Sequence, residues 1–185
     1  WAPDEIDEVL ASSDKVIFNT AQQLQRFEEK SRDHTRGLRV NPGVSTSEFD
    51  LADPARPFSR LGEHDPAAID AVADRITGLM FHNNCENDSF ERFDEMLTLI
   101  EDRFGAVLDK MQWISLGGGI HFTGADYPLD DLALRLADAG YELRPAGGGL
   151  TVHRRPCGAR LCKASEIGFP YRALVKRFHC AMPGH

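Results

Sequence analysis

Short apolar runs alternate with amphipathic segments along most of the chain. Runs rich in β-branched and apolar residues, bounded by Asn, Pro, Gly or Ser, predict strands. Apolar residues that recur every three or four positions predict helices. The predicted strands are 15–19, 37–42, 77–83, 113–118 and 141–145. The predicted helices are 20–32, 66–75, 89–108 and 128–140.

The helix predicted at 89–108 has the clearest pattern. Its apolar positions follow the spacing of one buried face. They are Phe90, Phe93, Leu97, Ile100, Phe104 and Leu108. Asp88 stands three residues before Glu91, which predicts a capping arrangement at the start of the helix.

Strands that alternate with helices predict βαβ units and a parallel sheet, and therefore an α/β fold. About five such units fit before residue 146. An open doubly wound sheet and part of a (β/α)8 barrel both match this pattern, and the periodicity does not choose between them. The polar segment 43–65 is longer than a plain connector, which indicates a functional loop.

The composition is that of an ordinary globular domain, with 185 residues, 42% hydrophobic and 27% charged. No run reaches the roughly 18–20 apolar residues of a membrane span, so we expect no membrane association. The net charge of −8 argues against general nucleic-acid binding, which relies on Lys and Arg. The acidic start lacks a signal peptide, so we expect a cytoplasmic protein. Because the chain begins at Trp1, we expect an upstream segment.

The charge balance reverses near the end of the chain. Residues 1–141 hold 27 Asp and Glu against 13 Lys and Arg, whereas residues 142–185 hold 2 acids against 8 bases. Three of the four cysteines also lie in the second part. We therefore predict two regions, an α/β domain at 1–145 and a basic tail at 146–185.

Candidate chemistry lies where two predicted strands end. Polar residues 82–87 (His-Asn-Asn-Cys-Glu-Asn) follow one strand, and Gly117–Gly119 with His121 follow the next. Ligands of parallel α/β folds bind beyond the carboxyl ends of the strands. Successive glycines let backbone N–H groups approach a phosphate. His82 offers a flat ring and a proton exchanger.

Each feature also has a purely structural interpretation. The glycines would then form a flexible turn, and the histidine would only make hydrogen bonds to neighbouring groups. Taken together at neighbouring strand ends, the two features indicate an α/β enzyme with a phosphate-bearing ligand.

Three long segments resemble the carboxynorspermidine (carboxyspermidine) decarboxylases. They are GLRVNPGVSTSEFDLADPARPFSRLGE, GLMFHNNCEND and WISLGGGIHFTGADYPLD. The resemblance covers about residues 1–141. It implies a pyridoxal-phosphate enzyme of the alanine racemase and ornithine decarboxylase barrel group, a lyase of polyamine and spermidine biosynthesis that acts on a small polyamine substrate as a homodimer.

The resemblance also implies roles for individual residues. His82 would be the catalytic histidine that stacks on the pyridoxal ring. Other cofactor-binding positions would be Gly117, Gly118, Gly119, Arg39, Arg60 and Cys85. Substrate-binding positions would be Asn84, Glu86 and His121. No metal site is implied for these residues.

The chain departs from the family in three places. The family's cofactor-bonding lysine lies on an early strand, which we expect upstream of residue 1, and no lysine of this chain matches it. The family's Glu-Pro-Gly motif is replaced by YELRPAGGG, with Arg144 before Pro145. The later β domain has no counterpart. We therefore expect a partial (β/α)8 barrel that lacks its early strands and the C-terminal β domain.

The tail at 146–185 shows no such resemblance. One hypothesis is that it is an out-of-register or foreign extension of a truncated enzyme. Unpaired sheet edges then predict low stability of the chain on its own. A second functional reading is a non-catalytic fragment that binds phosphate or cofactor. A third is a zinc site built from the tail residues His153, Cys157, Cys162, His179 and Cys180, although their spacing matches no common zinc finger.

Overall fold

A computed structural model describes most of the chain up to residue 154. The described ranges are 2–45, 53–56, 58–84, 87–120, 126–146 and 149–154. The strands are β1 (Lys15–Phe18), β2 (Thr35–Val40), β3 (Gly78–Phe81), β4 (Trp113–Ser115), β5 (Tyr141–Ala146) and β6 (Gly149–Arg154). The helices are α1 (Ile6–Ala11), α2 (Ala21–Arg26), α3 (Pro66–Asp70), α4 (Phe90–Leu108) and α5 (Leu129–Asp138), with a 3-10 turn at Ala73–Arg75.

The described strands form one sheet in the order β1-β2-β3-β4-β6-β5. The first four are parallel, and each is joined to the next by a segment that contains a helix. This confirms the predicted α/β class with a parallel sheet. Because parallel strands all end at one edge, residues that follow β1 to β4 are brought together there.

One face of the sheet packs with the helices into a single hydrophobic core. Alternate residues of each strand point to the same side. On β1 to β4 the core-facing residues are Val16, Phe18, Leu38, Val40, Leu79, Phe81 and Ile114. Helix α4 adds Phe93, Met96, Leu97, Ile100, Phe104, Val107 and Leu108, which confirms its predicted buried face.

The opposite face carries a tryptophan packed on two glycines. Gly37, Gly78 and Trp113 are aligned across β2, β3 and β4. A Cβ at Gly78 would lie 2.2 Å from the indole, and one at Gly37 would lie 2.6 Å from it, so only glycine lets the ring lie this close. The Lys15 ammonium lies 4.1 Å from the centre of the same ring. This packing fills the opposite face of the sheet near the amino-terminal ends of β3 and β4.

The end of the described chain corrects the prediction of five consecutive βαβ units. A strand does form at 141–146, but it does not pair with β4. Instead β6 pairs antiparallel with β4, and β5 pairs antiparallel with β6. The hairpin satisfies the backbone groups on the β4 edge, which is the physical reason for a strand there. Residues 149–154 of the predicted tail are thus part of the sheet, while the division at 145/146 itself stays a prediction.

Several predicted helix bounds were wrong. The helix predicted at 20–32 ends at Arg26 and is followed by turns, in which the Ser31 hydroxyl and N–H both donate to the Phe27 carbonyl. The helix predicted at 66–75 ends at Asp70 and continues as the 3-10 turn.

The capping residue of α4 is Ser89 rather than Asp88, since the Ser89 hydroxyl accepts the Arg92 N–H. Helix α1 was not predicted.

Within the described ranges, no helix is both long enough and apolar enough to cross a membrane. The tail residues Cys157, Cys162, His179 and Cys180 lie outside the described part of the chain. The zinc hypothesis for the tail therefore stays a prediction.

Candidate functional site

His82 and the glycine turn meet at the carboxyl edge of two adjacent parallel strands. His82 follows β3, and Gly117–Gly119 (the glycine turn) follows β4 after Leu116. A Cβ built on Gly117 would lie 2.5 Å from the His82 Nδ1 atom. The two features predicted from separate stretches of sequence are therefore in direct contact.

The glycine turn has a backbone that side chains would disturb. Gly117 and Gly119 have φ angles of +74° and +79°, in the region that favours glycine. At Gly118 an added Cβ would meet nothing within 4 Å, so the space beside this residue is open. The turn can therefore present its backbone to a ligand on one side while it touches the imidazole on the other.

The environment of His82 favours a neutral imidazole. Burial and, next, the positive charge of Arg39 lower its pKa below the ordinary histidine value. The Gly118 N–H donates to Nδ1 over 3.4 Å, which assigns the ring hydrogen to Nε2. A neutral ring that holds its hydrogen at Nε2 is available for stacking or for donating a hydrogen bond at this edge.

The two arginines named as cofactor-binding lie in different settings. Arg39, on β2, is half-buried, and its guanidinium donates to the His82 carbonyl over 3.5 Å. Burial lowers the pKa of Arg39. Arg60 is exposed, and its carbonyl accepts a hydrogen bond from the Asn19 amide. Arg39 thus adjoins His82, whereas Arg60 lies in the loop beside the end of β1.

The described part of the long loop returns to the strand ends. Glu63 pairs with Val40 just beyond β2, and its carbonyl accepts the Asn41 N–H over 2.9 Å. Asn19, after β1, accepts the Gly62 N–H. These contacts hold residues 58–65 against the carboxyl edge, beside the candidate site.

Three asparagines between β3 and α4 are almost completely buried. Asn83, Asn84 and Asn87 have exposed fractions of 1%, 3% and 0%. Asn83 donates to the Val44 carbonyl, and its Oδ1 atom has no hydrogen-bond partner among the described residues. Asn87 belongs to the polar run 82–87 identified from the sequence, but no individual role was predicted for it.

The remaining predicted site residues are Cys85, Glu86 and His121, which lie outside the described residues. Their roles stay predictions. Among the described residues, no group of three or more His, Cys, Asp or Glu side chains is arranged to hold a metal ion.

The lysines of the described part are engaged away from the glycine turn. Lys15 lies over Trp113 at the start of β1, at the opposite end of the strand from the site. The Lys30 ammonium pairs with Asp7 at 2.7 Å, and the Lys110 ammonium pairs with Asp70 at 2.6 Å. None of these three is placed to bond a ligand at the carboxyl edge.

The site has features that suit the phosphate and the ring of pyridoxal phosphate. Its described residues do not include a lysine to bond the cofactor. The open space at Gly118 leaves room for a phosphate beside the backbone of the turn. The neutral His82 ring beside it suits the face of an aromatic ring. A lysine that could bond the cofactor is not among the described residues that surround these features.

No protein-family model matches the chain. Known proteins do match it. It is 56% identical over 136 residues to a carboxynorspermidine/carboxyspermidine decarboxylase of Herminiimonas arsenicoxydans, a match that covers 74% of this chain and 37% of the relative. It is 32% identical over 132 residues to a carboxyaminopropylagmatine decarboxylase of Synechocystis sp., with 70% and 34% covered.

A solved structure shows the same similarity. The chain superposes on carboxynorspermidine decarboxylase from Campylobacter jejuni, crystallised with norspermidine, with a TM-score of 0.60 and 31% identity. The superposition covers 73% of this chain and 34% of that structure. The resemblance to these decarboxylases is thus confirmed, and the chain spans only about a third of the length of the proteins it matches.

Proposed function

We propose that the chain is a segment of a pyridoxal-phosphate-dependent carboxy-lyase that converts carboxynorspermidine or carboxyspermidine into norspermidine or spermidine. The observation that carries this proposal is the contact between His82 and the glycine turn at the carboxyl edge of β3 and β4. The similarity to three decarboxylases in this same region supports it. By the same similarity we propose a cytoplasmic homodimer.

Different residues of the chain would bind the phosphate and the ring of the cofactor. The phosphate would lie against the backbone of the glycine turn on the open side of Gly118. The Gly117 and Gly118 N–H groups donate to Ser115 Oγ and His82 Nδ1 over 3.4 Å, and these long bonds would be exchanged for bonds to the phosphate. His82 would lie against the ring as a neutral imidazole, and Arg39 would add positive charge beside it. Arg60 and Cys85 would complete the cofactor-binding set, and Glu86 and His121 would face the substrate.

Decarboxylation leaves an electron pair on the α-carbon after CO2 departs, and this pair must be stabilised and then protonated. Pyridoxal phosphate supplies the electron sink when bound. The half-buried strand edge would limit water around the departing carboxylate. The Nε2–H group of the neutral His82 ring would donate a hydrogen bond at the same edge.

A non-catalytic phosphate- or cofactor-binding fragment is the second candidate. It is favoured by the positions of Lys15, Lys30 and Lys110, which are all engaged away from the site. Such a fragment would bind phosphate at the glycine turn and release no CO2 from either substrate.

The test compares Gly118→Ala with Gly105→Ala in the full chain. Neither added methyl meets an atom within 4 Å, so both variants should remain folded. A methyl at 118 would keep a phosphate about 1 Å further from the turn, and we expect about tenfold weaker binding of pyridoxal phosphate and of inorganic phosphate. Gly105→Ala, in α4, should bind both as the unmodified chain does.

Calorimetry measures the binding, and trapping of CO2 from carboxynorspermidine measures the reaction. Equal affinity in all three proteins would contradict phosphate binding at the glycine turn. Binding without CO2 release would favour the second candidate, and a borohydride-sensitive visible absorbance would reveal a lysine bonded to the cofactor.

A further inference from the structure

Two buried asparagines connect the glycine turn to helix α4. Asn84 and Asn87, called here the asparagine brace, have exposed fractions of 3% and 0%. The Asn87 side-chain amide donates to Asn84 Oδ1 over 3.1 Å. The Ser89 N–H donates to Asn87 Oδ1 over 3.1 Å, and Ser89 caps α4. The brace is therefore anchored on the first turn of α4.

The brace bonds to the backbone on both sides of the glycine turn. The Asn84 side-chain amide donates to the carbonyl of Leu116, the residue before the turn, over 3.5 Å. The Asn87 backbone N–H donates to the Gly119 carbonyl over 2.8 Å, and Asn87 pairs with Ile120 in an isolated parallel bridge. These bonds bracket the three glycines between two fixed points.

Such an anchor restricts the conformational freedom of the glycine turn. Glycine has more backbone freedom than any other residue, so three in succession do not hold one conformation by themselves. A binding site works best when its donors are held in place before the ligand arrives. Buried amide bonds provide this restraint, because breaking them would leave polar groups unsatisfied away from water.

We infer that Asn84 and Asn87 are positioning residues that hold the glycine turn in its anion-binding conformation. This inference rests on the proposed function and refines it, since Asn84 was predicted to face the substrate. Its side-chain amide is instead directed to Leu116, Met96 and Asn87.

The test uses Asn84→Ala and Asn87→Ala in the full chain, with Asn41→Ala as the matched control. Asn41 is also buried at a strand end, with an exposed fraction of 3%. Its side-chain amide donates to the Pro54 and Leu61 carbonyls, and its Oδ1 accepts the Gly43 N–H. It makes as many bonds as a brace residue but none of these bonds reaches the glycine turn.

The first measurement is the affinity for inorganic phosphate, with the melting temperature recorded for each variant. We expect about tenfold or greater loss of affinity in both brace variants. Asn41→Ala should melt earlier to a similar extent and keep its affinity within about twofold of the unmodified chain. The inference would be overturned if all three variants lost affinity equally, in proportion to the fall in their melting temperatures.

The second measurement needs no ligand and separates this inference from the proposed function. Amide hydrogen exchange across residues 113–120 should be about tenfold faster in the brace variants than in Asn41→Ala. Equal exchange rates would reject the brace even if phosphate binds. Absence of phosphate binding by the unmodified chain, with the expected exchange rates, would reject the proposed anion site while the brace holds.

The unmodified chain provides a check if the variants do not fold. The Asn87 backbone amide should exchange as slowly as the amides in the middle of α4, because its hydrogen bond to Gly119 is buried. Exchange at the rate of an exposed amide would overturn the inference.

Discussion

Replacing Gly78 by Ala should destabilise the fold by a predictable amount. The added Cβ would lie 2.2 Å from two carbons of the Trp113 indole, whereas carbon atoms in contact are about 3.5 Å apart or more. The indole would therefore have to move by about 1.3 Å. The same ring also lies over Gly37 on the neighbouring strand, so this displacement disturbs that contact as well.

The cost has three parts. Overpacking of a well-packed site typically costs about 1–3 kcal/mol. Displacement of the indole also breaks its 3.0 Å N–H bond to the Thr77 hydroxyl, worth about 1 kcal/mol. Alanine regains about 0.5–1 kcal/mol of backbone entropy relative to glycine in a strand. We expect a net loss of about 1–3.5 kcal/mol in the free energy of unfolding.

Urea denaturation followed by circular dichroism measures this loss. The control is Gly105→Ala, where the methyl meets nothing within 4 Å and should raise the free energy of unfolding by about 0.5–1 kcal/mol. In a background of Trp113→Leu, the penalty of Gly78→Ala should largely disappear, as a double-mutant cycle would show. A loss below about 0.5 kcal/mol, or an equal loss in both backgrounds, would refute the packing argument.

Two further predictions concern titratable groups. Burial and the nearby Glu91 raise the pKa of Tyr127 to about 12, and its hydroxyl is buried without a partner in the described residues. Tyr127→Phe should therefore leave the free energy of unfolding unchanged or raise it by up to about 1 kcal/mol, measured by urea denaturation, and a clear loss would mean that the hydroxyl is bonded. Burial and the charge of Arg39 lower the pKa of His82 in the folded state. The folded state therefore has its full stability above the ordinary histidine pKa of about 6.5, where the ring is neutral. This contribution to stability is lost as the pH falls through the lowered pKa. Melting temperatures should thus fall more steeply on acidification in the unmodified chain than in His82→Gln, and parallel curves would contradict the assignment.

Much of the fold could be predicted from periodicity. The spacing of Phe93, Leu97, Ile100 and Phe104 predicted α4, and the structure places these residues in the core. The short runs around Phe18, Leu38 and Leu79 likewise predicted the parallel strands. Helix bounds were harder to predict, because the spacing of apolar residues indicates a helix without marking where it ends, as at Arg26.

The C-terminal hairpin shows where the pattern was insufficient. The segment at 149–154 has apolar residues suited to a strand, but its sequence does not indicate which strand it pairs with. Its position between β4 and β5 depends on the free edge of β4, and that edge exists only in the assembled sheet. Pairing between distant segments is therefore decided by the tertiary structure.

The sequence by itself determined the α/β class, the polar strand ends and the resemblance that assigned His82 and Gly117–Gly119 to one site. These follow from local period and from residue identity, which are properties of short segments. Only the tertiary structure decided that His82 accepts a hydrogen bond from Gly118 and that Asn84 and Asn87 hold the turn from outside. Those contacts join segments about thirty residues apart, and they form because parallel strands end at a common edge.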